Sequence, residues 1–251
     1  MRTTARGWTE PAPGVHRLDV AHVNCYLIEA EGGLTLVDAG LPRSSRLLGA
    51  LLKRIGAGVR DIDAVLLTHG HFDHVGMARP LAERGVASLV HPDDERLARH
   101  PYRYAHEAPI WSYPLRHPRI LPTVVSMVSA GALRVKGVTA APGVADGQVI
   151  DVPGHPRAIW TPGHTDGHCG YMFEKAGVLL CGDALVTLDP YTGRRGPQIV
   201  AGAATADSSL ALESLDALRA VDAALVLPGH GEPWTRGIGS AVDAALHAGA
   251  H

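Results

Sequence analysis

Three histidines and one aspartate lie within six consecutive residues, from His69 to His74. Imidazole nitrogens and carboxylate oxygens bind zinc, iron and manganese, whereas a structural zinc site is usually built on clustered cysteines. If the segment is a loop, His69 and His71 can converge on one ion while Asp73 and His74 turn towards a second. Gly70 lets the backbone approach such a site closely. The segment therefore predicts a metal centre, and the competing interpretation is a solvated, histidine-rich turn.

A second pattern in the sequence is not explained by a solvated turn. Three other apolar segments each end in a sharp turn and a residue that can bind metal: His164, Asp183 and His230. The His69 segment follows the apolar run 64–67 in the same manner. Strand ends on one edge of a rigid scaffold are where functional side chains assemble. We therefore expect these remote residues to join the His69 segment in one site.

The composition is that of a globular protein of 251 residues, with 46% hydrophobic and 19% charged residues. A formal net charge of −2 provides no basic surface for nucleic acid. No apolar run reaches the length of about eighteen residues that a transmembrane helix needs, and residues 1–14 lack the apolar region of a secretory signal. The three cysteines, Cys25, Cys169 and Cys181, are far apart, which favours a reduced, cytoplasmic protein.

Apolar periodicity places these motifs on strands and helices. Strands are expected at 15–18, 24–28, 34–37, 64–67, 86–90, 149–151, 158–161, 170–173, 178–181 and 223–227. Helices are expected at 44–55, 77–84, 207–220 and 238–248, and Asp207 is the expected N-cap of the third. We expect one domain, residues 1–251, with two similar halves.

Residues 91–136 interrupt this pattern with proline, arginine, histidine and most of the aromatic residues. We expect an irregular or helical insertion at about these positions. It is either a lid that binds an acyl or acidic group, in which case Trp111 affects substrate selectivity, or a cover over the sheet or a dimer contact.

The motifs resemble those of the metallo-β-lactamase superfamily. Residues 69–76 resemble its signature, and four shorter motifs follow the family's order: 37–40, 161–165, 182–183 and 228–231. Five motifs in order over about 15–235 are far more specific than any one of them. The resemblance implies an α/β protein, an αββα sandwich with two metal ions between the central sheets.

The resemblance also implies a role for each candidate ligand. The first ion is expected on His69, His71 and His164, the second on Asp73, His74 and His230, and Asp183 is expected to bridge both. Asp73 is also the expected catalytic residue, because it can accept a proton from the attacking hydroxide. Asp38 is expected to support the metal-binding loop without a catalytic role.

Several residues of this sequence differ from the motifs of individual branches of the superfamily, and these differences argue against some of the branches. True β-lactamases lack the carboxylate of Asp183, and flavo-diiron proteins carry a glutamate where His71 stands. The net charge and the lack of a long extra domain argue against RNA-processing branches. Glyoxalase II and persulfide dioxygenases share the ligands, but their Gly-Cys-Gly-Arg element is missing after Asp183, and 21 residues after His230 are too few for a glutathione-binding domain. Quorum-quenching lactonases carry a tyrosine where Val186 stands.

These features favour a binuclear metal-dependent hydrolase, not a true β-lactamase, of the glyoxalase II or lactonase-like branch. It is expected to attack an ester, thioester or lactone carbonyl with a metal-bridging hydroxide, since metals lower the pKa of bound water towards about 7. Two divalent ions are expected, zinc first, with iron or manganese as alternatives.

Two other activities stay open: a mononuclear-iron oxidoreductase resembling persulfide dioxygenase, and an N-acyl-homoserine lactonase. A metal-free interaction protein is disfavoured by the complete ligand set. The expected partner is a small-molecule substrate, with neither nucleic acid nor membrane, and a homodimer is left open.

The other histidines and cysteines are interpreted as structural. His168 is expected to lie behind the ligands, and Cys181 is expected to be a buried, inert thiol. His91 is expected to be either near the site or a capping side chain. His247 and His251 are expected to be solvated.

Overall fold

The computed structural model describes residues 2–3 and 7–251, and their strands form two large sheets and a small one. The first sheet has eight strands in chain order: β1 Arg2–Thr3, β2 Trp8–Ala12, β3 Val15–Val20, β4 Val23–Ala30, β5 Gly33–Val37, β6 Ile62–Leu66, β7 Ala87–Val90 and β8 Ala141–Pro142. The second sheet has the order β14-β11-β10-β9, from β9 Arg157–Trp160, β10 Cys169–Phe173, β11 Val178–Gly182 and β14 Leu225–Pro228. The small sheet pairs β12 Val186–Leu188 with β13 Arg195–Gln198.

Helices cover or connect these sheets. They are α1 Ser44–Ile55, α2 Ala78–Ala82, α3 Glu95–Arg99, α4 Ser112–Arg116, α5 Leu121–Ser129, α6 Ser208–Arg219 and α7 Ile238–Ala248. None of the helices within the described residues is long and apolar enough to cross a membrane.

The first sheet is apolar on both faces. Successive side chains along a strand point to opposite sides, and in β4 and β5 apolar residues occupy both sets of positions. On one face, Leu27 and Leu36 pack with Leu51 of α1. On the other, Ile28 and Val37 pack against the second sheet. The amphipathic α1 thus covers the outer face and leaves the inner face for contact between sheets.

The second sheet repeats this division. Tyr171 and Leu180 face the first sheet, whereas Leu179 packs with Leu215 of α6 and Val242 of α7. The layers are therefore helix, sheet, sheet, helix, as the sequence predicts.

Strand direction brings several loops to the same edges. β5 and β6 run parallel. β9 and β11 are both antiparallel to β10, and β14 is parallel to β11, so these three strands share one direction. The loops that follow these five strands contain the candidate residues.

Most sequence-predicted elements are confirmed within two residues at each end. The strand predicted at 149–151 is wrong, since only an isolated bridge joins Val149 to Arg157. Pro153 and Gly154, whose φ is +89°, turn the chain there, and proline has no N–H for a ladder. Strand β2 was not predicted because Pro11 disrupts its alternating pattern.

Residues 91–136 are helical and irregular, as expected, and they contain α3, α4 and α5. The insertion packs against the rest of the chain at several places: Tyr113 and Ile120 pack with Ala201 and Ala203, Ala130 packs with Val23 and Leu41, and Val135 joins the core beneath the first sheet.

We expect the cap of α6 to contribute measurably to stability. The Asp207 carboxylate accepts from the N–H of Leu210 at 2.9 Å, and the Asp207 N–H donates to Gly163 O at 2.9 Å, next to His164. Asp207→Ala should lower the free energy of unfolding by about 1 kcal/mol in urea. Asp207→Asn, which keeps an acceptor, should stay within a few tenths of wild type; equal losses in both variants would exclude the cap as the cause.

Candidate metal centre

Strand ends deliver all seven sequence-predicted ligands to one place. The segment from His69 to His74 follows β6 and precedes α2. His164 follows β9, Asp183 follows β11, and His230 follows β14. The side chains are almost fully buried, with exposed fractions between 0% for His69 and 7% for Asp73.

The seven residues fall into overlapping groups whose potential ligand atoms lie within 4.8 Å of one another. The groups are His69, His71 and His164; Asp73, His74 and His230; and His69, His74 and Asp183. The first two are the two sets expected from the sequence.

Asp183 lies between these two sets. Its Oδ1 is 3.6 Å from His74 Nε2, and its Oδ2 is 3.6 Å from His164 Nε2 and 3.2 Å from His230 Nε2. One carboxylate thus contacts imidazoles of both sets. Gly229 allows this proximity, because a Cβ at that position would come within 2.8 Å of His74 Cε1 and would also clash with Asp183.

Four of the imidazoles are oriented by hydrogen bonds at Nδ1. The partners are Thr68 Oγ1 for His69, Asp38 Oδ2 for His74, Thr205 Oγ1 for His164 and His22 O for His230. Both threonine hydroxyls donate elsewhere, to Asp38 and to Val200 O, so they accept from the rings. Each neutral ring therefore carries its proton on Nδ1 and directs the Nε2 lone pair towards the others.

Several of these inward atoms have no hydrogen-bond partner. They are the Nε2 atoms of His69 and His74 and the Oδ1 of Asp183. Buried polar atoms are normally paired, so two ring nitrogens and a carboxylate oxygen without hydrogen bonds in one place indicate a site for a cation.

His71 and His164 add a second sign of such a site. His71 Nδ1 lies 3.1 Å from His164 Nε2. Two nitrogens that each bind one tetrahedral zinc ion at about 2.0–2.1 Å are about 3.3 Å apart. The pair therefore has the spacing of two ligands of one ion.

The charge states of the cluster differ between its two sets. Burial, reinforced by neighbouring histidines, lowers the pKa of His69, and burial also lowers the pKa of His164 to about 4. Burial opposes protonation of His74 too, but Asp183 and Asp38 outweigh it and raise the pKa of His74 to about 9. Asp183 raises the pKa of His230 in the same way. Protons on these two rings offset the carboxylate charges in the metal-free protein.

Asp38 supports the metal-binding loop, as the sequence predicts. Its carboxylate accepts from Thr68 N–H at 2.8 Å, from the Thr68 hydroxyl at 2.9 Å and from His74 Nδ1 at 2.9 Å. Its φ is +58°, a left-handed conformation that is uncommon for residues other than glycine. The surrounding hydrogen bonds hold Asp38 in this conformation beside the cluster.

His168 is a supporting residue, as expected. Its Nε2 accepts from the backbone N–H of Asp183 at 3.0 Å, and its Nδ1 lies 2.7 Å from Thr161 Oγ1. Both ring nitrogens are therefore engaged, and burial keeps the ring neutral by lowering its pKa. His168 positions the residue that lies between the two sets.

Asp94 is a supporting residue that the sequence analysis missed. It is buried and accepts from Gly70 N–H, Gly167 N–H and the Thr165 hydroxyl, at 2.8, 2.9 and 2.9 Å. It thereby joins the His69 loop to the His164 loop. The available signal was the same strand-turn-carboxylate pattern, since Asp94 follows the apolar strand β7.

The structure settles the side chains whose positions were left open. His91 is a capping side chain that accepts from Asp93 N–H, and Cys181 is buried with Sγ 3.1 Å from Leu185 O. His247 is exposed. The prediction for His251 is wrong: it is half-buried, with Nε2 3.1 Å from Asp189 Oδ2.

Comparison with known proteins agrees with this geometry. A family model described as "Metallo-beta-lactamase superfamily" matches residues 18–230. A probable metallo-hydrolase of Bacillus subtilis, YflN, is 31% identical over 255 residues, which cover 90% of this chain and 87% of that protein. An N-acyl homoserine lactonase of a Bacillus species is 26% identical, over 85% of this chain and 82% of the lactonase.

A solved structure shows the same architecture. A metallo-beta-lactamase family protein of Thermus thermophilus superposes with a TM-score of 0.66 at 30% identity. The match covers 92% of this chain and 77% of that one.

We expect Asp38→Asn to weaken zinc binding by about 10- to 100-fold. The N–H and hydroxyl of Thr68 and the Nδ1 of His74 donate to the two carboxylate oxygens of Asp38, whereas an amide has only one acceptor oxygen. The free energy of unfolding of the metal-free protein should also fall by about 1–3 kcal/mol. Competition with a chromogenic chelator measures the first effect and urea denaturation the second. Asp93→Asn, at a carboxylate that is 56% exposed, is the control; equal zinc affinity in the two variants would show that Asp38 does not support the site.

Proposed function

The chain belongs to the metallo-beta-lactamase superfamily, and we propose that it is a hydrolase that uses two divalent metal ions to cleave an ester, thioester or lactone. The observation that carries the proposal is the division of seven buried ligand candidates into two sets with one carboxylate between them. Structural zinc sites are usually closed by four ligands of one ion, which does not account for seven.

The proposed ligand assignment follows these sets. His69, His71 and His164 would hold one ion, Asp73, His74 and His230 would hold the other, and Asp183, which contacts imidazoles of both sets, would be shared between them. Five imidazoles and two carboxylates, without thiolates, suit zinc, and also iron or manganese. When bound, the metals supply a hydroxide near neutral pH and stabilise negative charge on the carbonyl oxygen.

The protein's own groups orient this chemistry. The His168 contact to the backbone N–H of Asp183 fixes the main chain at this residue, which keeps the origin of its side chain beside the cluster. Asp38 and Thr68 hold the His74 and His69 rings with their Nε2 atoms directed inward. Such preorganisation lowers the cost of reaching the transition state.

Asp73 is the proposed proton acceptor. Burial raises the pKa of Asp73, but the hydrogen bond to His230 and the charges of His74 and His230 together outweigh burial and lower it, which favours the ionised carboxylate. At 7% exposure it is the most accessible of the seven residues. A substrate or water that enters the site can therefore reach its oxygens.

Two observations support lactones as the substrate class. A relative at 26% identity is named an N-acyl homoserine lactonase. The tyrosine that lactonases carry three residues after the bridging aspartate is replaced here by Val186. The Tyr104 ring, however, contacts His71 with 4.3 Å between centroids, and the Tyr191 hydroxyl interacts with Tyr104. Tyr104 therefore lies beside the cluster, although its position in the sequence differs from that of the lactonase tyrosine.

Metal analysis and a substrate screen test the proposal together. Protein purified without chelator should contain about two equivalents of zinc, iron or manganese per chain. The metal-loaded protein should hydrolyse at least one of a panel of aryl esters, acyl thioesters and lactones without consuming oxygen. One equivalent of iron with oxygen-dependent turnover would instead identify an oxidoreductase, and metal-free protein with no activity would refute the binuclear hydrolase.

We expect Asp183→Asn to lower turnover by about 10²-fold or more, roughly 3 kcal/mol in the barrier. The amide keeps the size of the side chain but removes its charge and half of its acceptor capacity, so at least one ion should also bind more weakly. Cys181→Ala, two residues earlier on strand β11, should retain both metals and most activity. Near-normal turnover and full metal content in Asp183→Asn would contradict the assignment.

A further inference from the structure

An apolar cleft of about 280 Å³ lies beside the candidate metal centre. The insertion forms most of it, with Tyr104, Val124, Val128 and Leu133 among its walls, and Phe72 also lines it. Its volume is near the lower end of the range for small-molecule sites, about 300–1,000 Å³.

The cleft adjoins the candidate metal centre through two of its lining residues, Phe72 and Tyr104. Phe72 lies between His71 and Asp73 in the sequence, and its ring stacks on Tyr102 with a centroid separation of 5.4 Å. On the other wall, the Tyr104 ring contacts His71 at 4.3 Å between centroids. A molecule in the cleft therefore lies next to the ligand loop.

Tyr104 separates two environments of opposite polarity. It also lines a second cleft of about 300 Å³, whose walls include Asp94, Arg96, Arg103 and His164. A substrate held across the ring would place an apolar part on one side and a polar part on the other. This is the polarity of an acyl chain joined to a polar leaving group.

The walls of the cleft expose apolar side chains. Val124 is 38% exposed, Val128 44% and Leu133 72%. Exposed apolar surface gathered around a concave site is typical of a ligand-binding groove. Trp111, which the sequence analysis expected to affect selectivity, is 72% exposed and does not line the cleft.

We propose that this cleft binds the aliphatic acyl chain of the substrate, so that the protein acts on esters, thioesters or lactones of medium-chain acyl groups. This inference rests on the proposed hydrolase function. The valine, isoleucine, leucine and methionine side chains of the cleft contact the methylenes, and the carbonyl reaches the metal-binding cluster past Phe72 and Tyr104.

A series of p-nitrophenyl esters from acetate to decanoate tests chain recognition in the zinc-loaded protein. If each methylene is buried, kcat/KM should rise by about two- to fourfold per methylene and level off once the cleft is filled. A rate that is independent of chain length, or highest for acetate, would overturn the inference and leave the hydrolase proposal intact.

Two variants of helix α5 form a matched pair. Val124 lines the cleft, whereas its neighbour Val125 is 67% exposed and lies outside it. Val124→Asp should reduce the octanoate-to-acetate ratio of kcat/KM by about tenfold or more, because a carboxylate in the cleft opposes burial of the chain. Zinc content should be unchanged in both variants, and Val125→Asp should keep the wild-type ratio and acetate rate. Equal ratios in the two variants would overturn the inference.

Calorimetric binding of 1-octanol gives a readout that does not need turnover. Wild-type protein and Val125→Asp should bind it, and Val124→Asp should bind it at least about tenfold more weakly. Octanol binding with this dependence, in a protein that cleaves no ester, thioester or lactone, would support the cleft and refute the hydrolase proposal. Equal binding by all three proteins, or binding by none, would overturn the cleft.

Discussion

The fold is organised around two carboxylates, Asp73 and Asp183, that are buried against five imidazoles. Removing a carboxylate from water costs several kcal/mol unless an opposite charge or hydrogen bonds compensate for it. Without metal, protons on His74 and His230 provide this compensation. Because metal ions use the same lone pairs, protons and cations compete for the site.

This constraint explains the polar contacts behind the cluster. Asp38 bridges the loops after β5 and β6, Asp94 joins the His69 loop to the His164 loop, and His168 fixes the backbone of Asp183. Each of these residues accepts a hydrogen bond from a backbone N–H group in a loop at the end of a strand, where the sheet provides no partner. The left-handed conformation of Asp38 is unfavourable by itself, and its three hydrogen bonds offset that cost.

The candidate ligands could be predicted from the sequence because their pattern is local. The segment from His69 to His74 is contiguous, and His164, Asp183 and His230 each end an apolar run. Residues that act through tertiary contacts were harder to find. Asp94 has no neighbouring histidine motif, and the contact of Tyr104 with His71 depends on how the insertion folds back over the site.

The strands and helices, too, could be predicted where their sequence pattern is local and uninterrupted, and were missed where it is not. Strands with uninterrupted apolar runs were predicted within two residues, whereas β2 was missed because Pro11 lies within it. The turn at Pro153 and Gly154 converted an expected strand into an isolated bridge. In the insertion, helices of five to nine residues have too few turns for a periodic signal, and two of the three contain a proline.

Rigidity is distributed unequally between the metal-binding cluster and the cleft. The cluster is anchored by strand ends and by side chains such as His69 and His74, which are 0% exposed. Helix α5, which supplies Val124 and Val128 to the cleft, has no fully buried side chain. An element with few buried contacts can shift at low free-energy cost, whereas a shift of the strand ends would break several buried hydrogen bonds at once. Changes in the insertion can therefore alter the shape of the cleft without disturbing the geometry of the candidate metal centre.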